Sequence, residues 1–354
     1  MKIKVAVLDH DIEFMDRLAK IFQQKYADRI SLSLFSNEDT LYEGLKTFHA
    51  DIVLFDEFIQ IKEECIPDGV TAGYFSAIPD VDEIGGIPAI CRYQKAEMIY
   101  KMILGLYAEN LSDVKLKKSK AEVRVVLFTS VQGGAGTSAA AAAYALSQAE
   151  KKKKLFYLCL QKFGNPELYF HGEGKLSFSD IIYSLKSRKG NLLIKLESAA
   201  QTDPSGVDFF SSCKNTYDMF ELSDDEVRML IQGLMQSAKY EEIVIDLSGE
   251  MTERMVMLMQ DYADRIIYVS DGSTAGNQKF ESFCETAGVM EQRQECEILS
   301  KACLLYSRFS SKSSVRLEKT AVPVLGGIHR FEGIDGRKLA EKISDALRTV
   351  SIPL

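Results

Sequence analysis

The sequence predicts two successive α/β domains, each built on a mainly parallel sheet with helices on both faces. Two observations lead to this class. Short apolar segments of strand length alternate with helical segments along the chain, and one polar, lysine-rich stretch, AENLSDVKLKKSKAE, interrupts the series. A length of 354 residues also suits two domains of ordinary size. We therefore place a first domain at residues 1–107, a linker at 108–121 and a second domain at 122–354.

The first domain contains strand candidates separated by helical segments. The strand candidates are KVAVLD, SLSLF, DIVLFD, AGYFSA and PAICRY. Between the first two, DIEFMDRLAKIFQQKY repeats apolar residues at Ile12, Met15, Leu18 and Phe22, which is the spacing of one helix face. AEMIYKMILGLY ends the series as an amphipathic helix. This alternation is typical of a doubly wound sheet.

The second domain repeats the pattern on a larger scale. Its strand candidates are VRVVLFTS, LFYLCL, EIVIDLS, RIIYVS and ACLLYS. Helical segments such as SDIIYSLKSR and DDEVRMLIQGLMQSA lie between them. The last segment, GRKLAEKISDALRTV, is amphipathic but contains acids, so we expect it to pack on the domain rather than on a membrane.

Composition excludes several classes of protein. The net charge of −8 argues against a nucleic-acid partner, because such proteins usually carry a basic surface. The basic runs KLKKSK and KKKK are short, and we expect membrane contact to be indirect or weak. Seven cysteines without a C-x-x-C pair indicate reduced thiols in a cytoplasm. No apolar stretch reaches the ~20 residues that a membrane span needs.

The stretch VLFTSVQGGAGTSAAAAAYAL has the layout of a phosphate-binding loop, with a strand, a glycine-rich turn and a helix in that order. Glycines let backbone N–H groups approach an anion, and the helix start adds a positive dipole end. The usual loop places a lysine after its last glycine, where this chain has Thr137. A glycine turn without a ligand is the alternative, but the order of strand, loop, Ser138 and helix favours a phosphate site.

The loop QGGAGTS resembles the KGGVGKT loop of the MinD/ParA ATPase family, with Gln132 and Thr137 in place of its two lysines. The TadZ/CpaE group, which serves assembly of Flp-type (Tad) pili, is a branch with similar losses. Proteins of that group place a receiver-like, flavodoxin-like domain ahead of a MinD/ParA-like P-loop NTPase domain. The order of domains predicted here is similar along nearly the whole chain.

This resemblance implies ATP and Mg²⁺ as cofactors. Ser138 and Asp246, the latter at the end of a Walker B-like strand, would hold the metal. Ser307 and His329 stand where the family usually has asparagine and proline. The implied cofactor-binding residues are Gln132, Gly133, Gly134, Ala135, Gly136, Thr137, Ser138, Ala139, Asp246, Ser307, Arg308 and His329.

Other departures concern hydrolysis. The related ATPases end their second strand in D-x-D, where this chain has Leu158 and Leu160, followed by the uncharged Gln161. Phosphoryl transfer depends on positioning and on charge near the γ-phosphate. We therefore expect little or no ATP hydrolysis and assign no catalytic residue, while the backbone of the loop can still bind nucleotide.

The first domain resembles the receiver domains of response regulators. That family carries two acids, a phospho-accepting aspartate, a Ser/Thr and a lysine at successive strand ends. The matching positions are Asp9 with His10 and Asp11, then Asp56, Ser76, and Arg92 or Lys95. Asp56 is thus a possible phospho-acceptor. Because a histidine and an arginine replace two working residues, a domain kept for docking is the interpretation that we favour.

The leading functional hypothesis is an ATP-binding, hydrolysis-poor scaffold or localisation factor for Flp/Tad-type pilus or secretion assembly. Its expected partners are pilus or secretion assembly proteins and a second copy in a homodimer. It would be cytoplasmic, and membrane-associated or polar only through those partners. The alternative is a phospho-regulated MinD-like switch ATPase with a signalling receiver domain. The acidic chain disfavours a role in DNA segregation.

Overall fold

The computed structural model describes residues 2–79, 81–110, 123–188, 191–294 and 296–348. The chain divides into two compact units. Unit 1 is Met1–Lys115 with Tyr183–Ala199, and unit 2 is Leu116–Ile182 with Ala200–Leu354. Of the proposed linker, residues 108–110 end a helix of unit 1, and residues 111–121, with the KLKKSK run, lie outside the described residues.

Unit 1 contains a six-stranded sheet in the order β2-β1-β3-β4-β6-β5. Every strand pair is parallel except the short β5–β6 hairpin. The elements along residues 1–110 are β1 (Ile3–Leu8), α1 (Ile12–Lys25), β2 (Ile30–Phe35), α2 (Glu38–Thr47), β3 (Ile52–Asp56), β4 (Thr71–Ser76), β5 (Glu83–Ile84), β6 (Ile87–Cys91) and α3 (Ala96–Asn110). With β6 as the fifth parallel strand, this is the doubly wound, flavodoxin-like order, and the predicted fold class is confirmed.

The apolar patterns of unit 1 match the positions of its elements. All five residues of β3 are buried, as expected for a parallel strand covered on both faces. In α1, Met15, Leu18 and Phe22 are buried as the spacing predicts, while Ile12 is exposed. The Asp11 carboxylate caps α1 by accepting a hydrogen bond from the backbone N–H of Phe14 at 2.9 Å.

One helix of unit 1 comes from far along the chain. Helix α6 (Leu192–Ala199) packs against α3, and Ile194 contacts the apolar core of unit 1. The Tyr100 hydroxyl donates a hydrogen bond to Glu197 at 3.1 Å, and Glu197 also pairs with Arg29. The strand and helix patterns of the sequence do not predict that this segment groups with the first domain.

Unit 2 contains an eight-stranded sheet in the order β14-β13-β12-β7-β11-β8-β10-β9, parallel except for β9. Helix α5 (Phe178–Ser187) crosses the boundary between the units at residue 183. The other elements are β7 (Arg124–Thr129), α4 (Thr137–Glu150), β8 (Leu155–Cys159), β9 (Gln201–Thr202), β10 (Val207–Phe209), α7 (Asp218–Glu221), α8 (Asp224–Gln236), β11 (Glu242–Asp246), α9 (Glu253–Met257), β12 (Arg265–Ser270), α10 (Thr274–Gln294), β13 (Ala302–Phe309), β14 (Val324–His329) and α11 (Gly336–Leu347).

Helix α4 is the centre of the unit 2 core. Its five consecutive alanines, residues 139–143, are all buried, and their small side chains allow close packing on neighbouring elements. Helix α11 packs along α4 through Ala340, Ile343 and Leu347. The amphipathic segment near the end of the sequence therefore covers the core of its own domain. Among the described residues, no helix combines the length and apolar character that a membrane crossing requires.

An ion pair between the partly exposed Arg337 and the buried Asp203 anchors the start of α11. The Arg337 guanidinium lies 3.0 Å from both carboxylate oxygens of Asp203 and also donates to the carbonyl oxygen of Tyr169 at 3.0 Å. Burial acts to raise the pKa of Asp203. Hydrogen bonds from the His171 N–H, Ser205 and Arg337 outweigh burial, and the pKa is lowered.

We expect Arg337→Met to reduce the free energy of unfolding by about 2–3 kcal/mol at neutral pH, because Asp203 would remain buried without its cation. Urea-induced unfolding measures the loss. Since the folded-state pKa of Asp203 is lowered, the pair stabilises the protein above the unfolded pKa of about 3.9, and this stabilisation is lost as the pH falls through the folded value. The difference in free energy of unfolding between wild type and variant should therefore become smaller at acidic pH.

The matched control for this prediction is Arg348→Met. Arg348 pairs with Glu150 at 2.8 Å, but both side chains are more than half exposed. Such surface pairs contribute only about 0–1 kcal/mol. Equal losses in the two variants would contradict the role given to the Asp203 pair.

Candidate functional site

The glycine loop, residues 132–138, connects β7 to α4 in unit 2. Gly134 and Gly136 have φ values of +76° and +89°, which favour glycine over other residues. Added Cβ atoms at Gly133 or Gly134 would meet nothing within 4 Å, so the backbone there faces open space. Gly136 is the cap residue of α4 and provides no side-chain hydrogen bond to its first turn. The first N–H groups of the helix are thus left for an external acceptor.

A cavity of about 680 Å³ opens on this loop. It brings together ten of the twelve residues for which the sequence suggests cofactor contact: Gln132, Gly134, Ala135, Gly136, Thr137, Ser138, Ala139, Ser307, Arg308 and His329. Gly133 belongs to the same loop, and Asp246 bonds to Gln161, which also lines the cavity. The remaining walls come from Tyr169, Ser248 and the segment 330–335 after β14, with Leu339 and Ile343 of α11.

The cations of this cavity do not come from the glycine loop. Thr137, at the place of the usual lysine, is 5% exposed. Arg308, which follows Ser307 on β13, has a left-handed φ of +55° and donates from its guanidinium to the Gly134 carbonyl oxygen at 2.8 Å. Arg330 also lines the cavity. Arg308 is among the cofactor-binding residues that the sequence resemblance implies, whereas no sequence pattern points to Arg330.

The Ser307 and Gln132 side chains differ in their hydrogen bonding, since the Ser307 hydroxyl has no partner and Gln132 bonds to Asp271. The Ser307 hydroxyl is buried without a hydrogen-bond partner and would lie 3.0 Å from a Cβ at Gly136. It is therefore an unsatisfied polar group at the wall of the cavity. Gln132 donates a hydrogen bond to Asp271. Burial acts to raise the pKa of Asp271, but the hydrogen bonds from Gln132 and Ser273 outweigh burial, and the pKa is lowered. Gly276 leaves room for both side chains, because a Cβ there would come within 2.6 Å of each.

The two expected metal ligands share one donor. The Gln161 amide nitrogen donates to the Ser138 hydroxyl oxygen at 2.7 Å and to Asp246 Oδ1 at 2.8 Å. Asp246 Oδ2 accepts from the Tyr157 hydroxyl at 2.8 Å. Burial raises the pKa of Asp246, against the effect of hydrogen bonds from Tyr157, Ser138 and Gln161. A hydroxyl and a carboxylate directed at the same point are oxygen ligands of the kind that Mg²⁺ takes, so the residues fit this ion.

The strand end beside the loop offers no carboxylate. Leu158 and Leu160 are each 1% exposed, and the segment 155–163 contains no acid. Gln161 is the polar side chain that this segment contributes to the cavity. In the sequence Gln161 follows the missing acids directly, but no spacing pattern predicts its bonds to both Ser138 and Asp246.

A second cluster, which we term the acid pocket, consists of Asp9, Asp56 and Arg92 at the carboxyl ends of β1, β3 and β6 in unit 1. All three are at least nine-tenths buried. The Arg92 guanidinium lies 3.5 Å from Asp9 Oδ2 and 3.5 Å from Asp56 Oδ1. Burial raises the pKa of Asp9, and the charge of Arg92 opposes that rise. A cation that belongs to the protein is therefore placed between the two acids.

Glu57 uses the donors next to the acid pocket. Its carboxylate accepts from the Ser76 hydroxyl at 2.9 Å and from the Ala77 N–H at 3.0 Å. Among the other receiver positions, Asp11 is engaged as the cap of α1, and His10 and Lys95 are exposed. Within the described ranges, no three His, Cys, Asp or Glu side chains are grouped as a metal site.

Unit 1 is thus a receiver-like domain whose acid pocket contains its own arginine, and unit 2 is a P-loop domain whose loop lacks its lysine. Residues 1–108 match the family model described as "TadZ-like, receiver domain". The chain therefore begins with a TadZ-like receiver domain, and the resemblance predicted from the motifs is confirmed for this part. No curated protein matches the chain.

Solved structures similar to the chain include ParA and MinD ATPases. A ParA family ATPase from Chlorobium tepidum TLS is 19% identical, with a TM-score of 0.50, covering 64% of this chain and 93% of that chain. MinD from Pyrococcus horikoshii OT3, complexed with Mg-ADP, is 16% identical with a TM-score of 0.48, covering 64% and 96%. At this identity the first comparison shows the fold alone, and it confirms the MinD/ParA-like fold class.

The acid pocket leads to a prediction about phosphorylation. Incubation of the full chain with acetyl phosphate and Mg²⁺ should leave its intact mass unchanged, because Arg92 lies between Asp9 and Asp56 and Glu57 holds the Ser76 donor. A receiver domain known to accept phosphate, treated in parallel, is the positive control. A phosphoryl adduct that disappears in Asp56→Asn would contradict the prediction.

Proposed function

We propose that this protein is an ATP-binding, hydrolysis-poor scaffold or localisation factor for assembly of Flp/Tad-type pili or secretion machinery. One observation carries the proposal. The glycine loop keeps an open backbone cradle and a hydroxyl–carboxylate pair, yet has neither a lysine of its own nor an acid at the neighbouring strand end. The match of residues 1–108 to a TadZ-like receiver domain supports the part of the proposal that concerns pilus assembly.

Nucleotide binding rests on the loop cavity. The phosphates would lie on the backbone of residues 133–138 at the start of α4, with Arg308 and Arg330 as the nearby cations. The base would reach the segment 329–335, where the rings of His329 and Phe331 are 4.1 Å apart. Ser138 and Asp246 would hold Mg²⁺, which supplies charge neutralisation at the β- and γ-phosphates when it is bound.

Poor hydrolysis follows from what surrounds the γ-phosphate position. A single positioned cation in related phosphoryl transfer is worth about 10³–10⁵ in rate. Thr137, Gln132, Leu158 and Leu160 take the places of four charged residues, and Gln132 is bonded to Asp271. The remaining polar group, Gln161, is bonded to Ser138 and Asp246. Nothing in this set activates a water molecule strongly.

The first domain serves partner recognition in this proposal. Arg92 pairs with both acids of the acid pocket, so a cation of the protein itself lies between them. Large apolar side chains follow the strand ends at the same edge and remain exposed: Ile12, Phe58, Ile78 and Tyr93. Phe58 is the most exposed of them, at 88%. The expected partners are pilus or secretion assembly proteins, with a second copy of the chain joining through the nucleotide-binding domain.

A phospho-regulated switch ATPase is the second candidate. It is favoured by the position of Asp56, which lies at the end of β3 close to Asp9 and on the same edge as Ser76. Stable phosphorylation of Asp56 that alters dimerisation would support this function over the scaffold.

A binding and turnover experiment tests the nucleotide site. The full chain should bind a fluorescent ATP analogue at micromolar to millimolar concentration with Mg²⁺ and should release phosphate at far less than one per minute. Gly134→Val should abolish binding, because a β-branched side chain is strained at a φ of +76°. Turnover near one per minute that Asp246→Ala removes would contradict the hydrolysis-poor function, as would strong stimulation by a membrane or a partner protein.

A localisation experiment tests the role of the first domain. A fluorescent fusion should form foci at sites of pilus assembly, and Phe58→Ser with Tyr93→Ser should disperse them without changing ATP binding. Point variants suit this test better than deletion, because residues 183–199 also belong to unit 1. The control is Val289→Ser, an exposed apolar residue on α10. Foci that survive the double variant would argue against recognition through this edge.

A further inference from the structure

We infer that Gln161 is a resident occupant of the divalent-cation position, and that Mg²⁺ has to displace its amide before it can bind Ser138 and Asp246. The inference rests on the proposed binding of ATP with Mg²⁺ and adds a residue that sets the metal requirement of that site. Gln161 is a positioning residue in this scheme, since it acts on the metal ligands rather than on the nucleotide.

The geometry of the amide carries the inference. One nitrogen lies 2.7 Å from the Ser138 hydroxyl oxygen and 2.8 Å from Asp246 Oδ1, so its two N–H groups are divided between the two ligands. An amide NH₂ has two donors and no more, and both are used here. The nitrogen therefore occupies the point at which the two oxygens converge, and a cation placed there would collide with it.

The chemistry of Asp246 explains why an occupant is needed. This carboxylate is 1% exposed, and its other oxygen is already bonded to the buried Tyr157 hydroxyl. A buried carboxylate that lacks donors has a large desolvation cost. Hydrogen bonds from Tyr157, Ser138 and Gln161 stabilise this carboxylate, and the Gln161 amide contributes to them without adding net charge. Mg²⁺ would supply a stronger attraction to the same oxygens, so the two are alternatives.

A second cavity beside Gln161 provides space for its side chain after displacement. Gln161 lines the loop cavity and also a second cavity of about 640 Å³, whose other walls include Phe163, Met219 and Phe220. The backbone carbonyl oxygen of Gln161 accepts a hydrogen bond from the Gly164 N–H at 3.1 Å. The backbone turn can therefore stay in place while the side chain rotates. A rotation of side-chain torsions is therefore enough to free Ser138 and Asp246.

The test is a Mg²⁺ titration of ATP binding with a fluorescent ATP analogue as the probe. A sample with EDTA gives the binding signal in the absence of Mg²⁺. Loss of a hydrogen bond to a charged group costs about 1.5–3 kcal/mol, so removal of the competing amide should lower the Mg²⁺ concentration for half-maximal binding by about tenfold or more. The variants are Gln161→Ala, and Gln161→Met, which keeps the length of the side chain. Gln236→Ala, a glutamine truncation at the end of α8, is the matched control.

The outcomes separate this inference from the proposed function. Displacement is supported if the Mg²⁺ concentration for half-maximal binding (the Mg²⁺ half-point) is lower in both Gln161 variants and unchanged in the control. Nucleotide binding with the same Mg²⁺ half-point in wild type and both variants overturns this inference alone. Absence of nucleotide binding in every protein overturns the proposed function together with it. Thermal unfolding of the free variants shows whether each is folded, and the Met variant keeps the test valid if the Ala variant is not.

Discussion

The structure depends on partners for carboxylates that are buried at the carboxyl ends of parallel strands. Asp9 and Asp56 in unit 1 and Asp246 in unit 2 are each less than a tenth exposed. A carboxylate in such a position needs a cation or several donors, because burial without partners costs several kcal/mol. In both units the chain itself supplies those partners, through Arg92 in one and through Tyr157 and Gln161 in the other.

Internal partners change what the two folds can be used for. Receiver-like and P-loop sheets place acids at one edge, where an external ion and a phosphoryl group would ordinarily complete the site. Here Arg92 pairs with both acids of the acid pocket, and Glu57 accepts the hydrogen bond of the Ser76 hydroxyl. At this edge of unit 1 large apolar side chains such as Phe58 remain exposed. In unit 2 the backbone of the glycine loop still faces open space, where a phosphate group could bind.

The patterns that depend on local sequence could be predicted, and the partners that depend on side-chain direction could not. Apolar periodicity predicted the main strands and helices, and the glycines with Ser138 predicted the loop–helix junction. The bond between Gln161 and Asp246 joins the ends of adjacent strands, β8 and β11, whose pairing register is a tertiary property. Glu57 likewise reaches Ser76 across β3 and β4. The two short strands β9 and β10 and the placement of α6 in unit 1 left no periodic signal.

Arg92 and Gln161, the internal partners of these carboxylates, differ in how readily an ion can replace them. Arg92 is a permanent charge that faces two acids, lies over the Phe14 ring and has its guanidinium buried. Displacing it would leave a buried cation unpaired, which is strongly unfavourable. Gln161 is neutral and partly exposed, and it borders a second cavity, so its displacement breaks two hydrogen bonds and buries no new charge. Arg92 therefore keeps its place between the two acids, whereas the proposed nucleotide site would allow exchange between its own amide and a metal ion.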